Sequence, residues 1–66
     1  MEITVNGEPQ PLADAFSVAK LLEIRGLAGK RLAVERNGDL VPKSRHADTL
    51  LANGDQIEIV VAVGGG

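Results

Sequence analysis

The apolar positions of this chain fall into short alternating runs, interrupted once by a helical stripe. Ile3 and Val5 share one side of Glu2-Ile3-Thr4-Val5, the period of two expected of a half-buried strand. Asn6-Gly7 follows and supplies the two positive φ angles of a type I′ turn, so the chain opens with a hairpin. The returning arm, Glu8-Pro9-Gln10-Pro11-Leu12, carries two prolines that donate nothing to a ladder, which puts it at a sheet edge and discourages edge-to-edge aggregation. The spacing then changes. Val18, Leu21 and Leu22 form a single stripe on a helix with Ser17 as its N-cap. Phe16 precedes the cap and packs on Leu21 as a hydrophobic staple, while Gly26 is the left-handed residue after Arg25 and lets Leu27 close on Leu22. Lys20 stands where a capping box would place Glu or Gln, so the helix start is only partly optimised.

After a turn at Gly29-Lys30, Arg31-Leu32-Ala33-Val34-Glu35-Arg36 reads as a strand, and Asn37-Gly38 is a second type I′ turn into Leu40-Val41, which Pro42 ends. Lys43 to Leu51 has no firm period; a helical turn near Ser44 to Ala47 is expected, with Leu50 and Leu51 tucked against the core. Asn53-Gly54-Asp55 turns the chain into the strongest strand signal, Gln56 to Ala62, with Ile57, Ile59 and Val61 on one face and Glu58, Val60 and Ala62 on the other. These elements fit an α+β fold in which one helix crosses a sheet. A single helix covers one side only, so Val60, Ala62 and Val63 are expected to remain exposed as a docking surface. Residues 1–63 form the domain, and Gly64, Gly65 and Gly66 a mobile tail.

Composition limits what such a domain can do. A chain of 66 residues buries only about 60% of its unfolded surface. Phe16 is the sole aromatic, so the core is aliphatic. With no cysteine there are no disulfides, thiolate nucleophiles or cysteine-ligated metals. No signal-peptide pattern and no long apolar run occur, which points to the cytoplasm and away from membranes. The net charge of -2 is unevenly spread: residues 25 to 45 sum to +4, flanked by two segments of -3 each. Nucleic-acid binding is disfavoured, because stacking aromatics are missing and the chain is acidic overall; the basic stretch reads as a solvated face.

Side-chain chemistry is sparse. His46 is the only histidine and has no partners at metal-ligand spacing, so it reads as a surface residue and no metal site is expected. Ser17 and Ser44 have no evident base, and Asp14, Glu23 and the other carboxylates read as solvated. The glycine run follows a strand but precedes no helix, so it is no phosphate-binding loop. What remains is the carboxylate of Gly66, which becomes an acyl donor once a partner activates it. Three glycines reach about 10 Å and fit a channel too narrow for other sequences.

The opening Ile-Thr-Val-Asn-Gly-Glu, Ala33-Val34-Glu35-Arg36-Asn37-Gly38, Leu40-Val41-Pro42-Lys43-Ser44 and the run from Asn53 through Val60 to Ala62-Val63-Gly64-Gly65 resemble the sulfur carriers of thiamine biosynthesis, the ThiS family. The resemblance covers essentially the whole chain. It implies a ubiquitin-like β-grasp fold with a mixed sheet of four to five strands and one main helix. It further implies a carrier and not an enzyme. An E1-like adenylyltransferase would adenylate Gly66 with ATP and Mg, no cofactor being bound by the carrier itself. Sulfur from a cysteine desulfurase route would convert the adenylate to a thiocarboxylate, and thiazole synthase would accept that sulfur. Gly64 and Gly65 would thread the partner's channel while Val60, Ala62 and Val63 dock at its mouth. Were Gly66 removed, Gly65 would take over its role. The small subunit of molybdopterin synthase, carriers for tRNA thiolation or cysteine synthesis, ubiquitin-like modifiers that conjugate to lysines, and plain interaction modules remain alternatives.

Overall fold

The computed structural model describes residues 1–62. Strand β1 (Glu2–Val5) and strand β2 (Glu8–Pro11) form an antiparallel hairpin, followed by helix α1 (Val18–Ile24). Strand β3 (Leu32–Arg36) pairs antiparallel with β4 (Asp39–Val41); a 3₁₀ turn (Lys43–Arg45) and strand β5 (Gln56–Val61) complete the chain. All five strands join in one mixed sheet of order β2-β1-β5-β3-β4, in which β1 and β5 run parallel at the centre. Both edge placements have local causes. The prolines of β2 leave it at one edge, as expected, and the three-residue β4 stops at Pro42 on the other.

The turns adopt the conformations that their residues favour. Asn6 and Gly7 have φ of 51° and 82°, and Asn37 and Gly38 have 52° and 88°. Ser17 Oγ accepts the Lys20 amide at 3.1 Å, capping α1. At its other end Gly26 (φ 72°) donates to the Glu23 carbonyl and Leu27 to that of Leu22, the paired bonds of a Schellman ending. Val18, Leu21 and Leu22 point into a core with Ile3, Val5, Val34, Leu51, Ile57 and Ile59, and Phe16, Leu27 and Leu32 pack around it.

Four details depart from the reading of the sequence. The helical turn spans Lys43–Arg45, not Ser44 to Ala47. Leu50 is 63% exposed whereas Leu51 is buried. Leu50 forms an isolated antiparallel bridge with Ser17, and in extended backbone neighbouring side chains point opposite ways, so only one of the two leucines reaches the core. His46 is buried: its Nε2 lies 3.0 Å from the Val41 carbonyl, which can only accept, and its own carbonyl receives the Ala19 amide. Asp55 is likewise buried and paired instead of solvated.

Candidate functional site

The candidate site that the sequence points to is the end of β5 and the sheet face that α1 leaves open. β5 is held in place along its length by groups from three other segments. At its start the Asp55 carboxylate accepts the Arg36 Nε–H at 2.9 Å, the Asn37 Nδ2–H at 3.0 Å and the Ala52 amide at 2.8 Å. Burial alone would raise the Asp55 pKa; the Ala52 hydrogen bond, then those from Asn37 and Arg36 and the Arg36 charge, outweigh it and hold the carboxyl below its ordinary value. Asn37 Oδ1 also accepts the Gln56 amide at 2.9 Å. Further along, the side chain of Asn6 replaces a strand residue where β1 turns away: its Oδ1 accepts the Ile59 amide at 2.7 Å and its Nδ2 donates to the Ile59 carbonyl at 3.3 Å. At the far end the Ala62 amide donates to the Arg31 carbonyl at 2.8 Å, so the chain leaves the sheet beside β3.

Register assigns the open face. Val60 stands opposite Ala33, Glu58 opposite Glu35, and Glu35 opposite Leu40. Val60 is 66% and Leu40 65% exposed, while Ile57 and Ile59 on the helix side are buried. Around the end of β5 a shallow hollow of about 350 Å³ is lined by Arg31, Leu32, Ala33, Val60 and Ala62. Glu58 and Glu35 face each other directly across the strands, an arrangement that costs stability, and among the described residues neither has a cation in ion-pair contact.

Val60 and Ala62 are thus exposed together at the end of β5, as the alternation of that strand indicates. Val61, assigned to the covered face, is 39% exposed at the strand's end. Val63, Gly64, Gly65 and Gly66 lie outside the described residues. The Glu35–Glu58 juxtaposition and the part played by Leu40 escaped the sequence reading, because both depend on the register between strands; alternation within β3 and β5 carried half of that signal. Among the described residues no cluster of His, Asp or Glu could hold a metal ion, and no helix is long and apolar enough to cross a membrane.

The ThiS family model matches residues 3–66. A solved structure of the thiamine biosynthesis protein ThiS from Geobacter metallireducens superposes with a TM-score of 0.84 at 32% identity, covering 100% of both chains. Thiazole synthase of Paramagnetospirillum magneticum is 39% identical over 66 residues, and this chain spans only 20% of its length. The uncharacterized protein ycf40 of Porphyra purpurea is 33% identical over 66 residues, 93% of its length. A β-grasp sheet with one helix, matched in sequence from residue 3 to residue 66 and in structure over its whole length, makes this chain a member of the ThiS family.

Proposed function

We propose that this chain is a sulfur carrier for thiazole formation in thiamine biosynthesis, with the Gly66 carboxylate as the group that carries sulfur. The observation behind this reading is that the family match runs through the glycines to residue 66. An E1-like adenylyltransferase joins the carboxylate to the α-phosphate of Mg-bound ATP and releases pyrophosphate. A persulfide supplied through a cysteine desulfurase then attacks the acyl carbon and AMP departs, leaving an acyl disulfide whose S–S bond a thiol reductant cleaves to release the thiocarboxylate. Thiazole synthase is the acceptor, a pairing supported by the relative of that name that contains a similar segment in one longer chain.

The domain supplies recognition. Val60 and Ala62 offer apolar contact beside the root of the tail, Leu40 extends the apolar surface two strands away on the same face, Val63 is assigned to the same docking contact, and Gly64 and Gly65 pass through a narrow channel in the partner. The opposed Glu35 and Glu58 favour a partner that brings an arginine or lysine against them, which replaces carboxylate repulsion with charge-assisted hydrogen bonds. Reconstitution with purified thiazole synthase and its small-molecule substrates tests the assignment. The thiocarboxylate form should support thiazole production and the carboxylate form should not. A thiocarboxylate that fed molybdopterin synthase but not thiazole synthase would overturn the choice of pathway.

A further inference from the structure

A second concave surface adjoins the open-face hollow and shares Arg31 and Leu32 with it. It is a groove of about 490 Å³ between α1, the loop before β3 and the segment after β4. Buried Leu22 and half-buried Leu27 and Leu32 give it an apolar lining. Lys30, Arg31 and Lys43 also line it; all three are exposed, and among the described residues none has an acidic partner in ion-pair contact. No acidic residue lines the groove. His46 adds no free donor at Nε2, which is committed to the Val41 carbonyl. The local concentration of positive charge stands out on a chain whose net charge is -2.

We propose that this groove, which meets the open-face hollow only at Arg31 and Leu32, is a second docking site, for an acidic segment of a partner protein that presents a large apolar side chain between its carboxylates. Charge complementarity selects the carboxylates and the leucine lining selects the apolar anchor. A nucleotide fits less well, because the chain's only aromatic, Phe16, is not among the lining residues and no base-stacking platform is present. Docking of this kind is independent of acyl activation at the C-terminus, so it can be measured on the chain alone.

The test is an amide NMR titration with a blocked ten-residue peptide in which aspartates alternate with leucine and phenylalanine, alongside its asparagine counterpart. Shift changes should centre on Ala28, Gly29, Lys30, Lys43 and Ala47. K43E and K30E should each weaken binding about fivefold, with well-dispersed spectra showing that the fold is kept, and so should raising the salt to about 0.5 M. The asparagine peptide should not bind. Shifts centred on Val60, equal binding by the charge-reversed variants or by the asparagine peptide, or no binding at about 1 mM would overturn the proposal. So would tighter occupation of the same amides by ATP, which would mark the groove as a small-anion site.

Discussion

Asn6 and Asn37 each serve two purposes. Both supply the positive φ of a type I′ turn, and both spend their side chains on β5 or the residue before it, Asn6 at Ile59 and Asn37 at Gln56 and the preceding Asp55. Replacing Asn6 with Gly keeps the turn and removes two hydrogen bonds, and should cost about 1–2 kcal/mol in urea unfolding. Asn6→Ala adds backbone strain and should cost about 1 kcal/mol more. Equal stability of the Gly variant and the parent would contradict the bridging role. The turns were readable from Asn-Gly alone, but the bridges were not, since Asn6 meets a residue 53 positions away. Asp55 was hidden for the same reason: its partner Arg36 lies 19 positions off and is brought close only by the pairing of β3 with β5. Because its folded pKa lies below the ordinary value, Asp55 contributes stability that is fully present above the unfolded pKa of about 3.9 and is lost as pH falls through the folded value. Asp55→Asn should therefore lower the urea midpoint at pH 7 and flatten its decline on acidification. An unchanged acid limb would remove Asp55 as its source.

Among the elements, α1 is the most fully encoded locally. Its cap, its stripe and its glycine ending all lie within residues 17–27 and all appear as their chemistry requires. Gly26→Ala would introduce a Cβ with nothing within 4 Å, so the expected cost of about 1–2 kcal/mol is purely conformational and should appear as a lower melting temperature without other change. Leu21, fully buried, should cost about 2–5 kcal/mol as Leu21→Ala, a large share of what so small a domain possesses. The segment between β4 and β5 was the least readable. It has no period, and its arrangement is set by partners elsewhere: Ser17 bridges Leu50, the Val18 amide reaches the Thr49 carbonyl, and the Ala19 amide reaches that of His46. A lone histidine in such a stretch carries no sign of burial until those contacts are in place.

For the molecule as a whole, the strand order could be read only at the edge marked by Pro9 and Pro11. The central pairing of β1 with β5 joins the first and last strands and leaves no local trace in the sequence. That pairing fixes β5, whose far end opens onto the exposed Val60 and Ala62. Val60 faces solvent, so Val60→Asp should leave the melting temperature nearly unchanged while lowering kcat/KM for adenylation by the proposed E1-like partner about tenfold or more, the loss expected if Val60 is an interface anchor. An activation rate equal to the parent's would remove the open face from the docking surface. The glycine tail stood out in the sequence because nothing else in the chain offered a reactive group, and the family match extends to its last residue. The most direct measurement is therefore intact-mass analysis of the chain after incubation with the proposed E1-like adenylyltransferase, Mg-ATP, a cysteine desulfurase supplied with cysteine, and a thiol reductant, followed by fragmentation. Exchange of one oxygen for one sulfur, confined to Gly66, is the predicted result; a mass that stays unchanged, or sulfur found elsewhere in the chain, would contradict it.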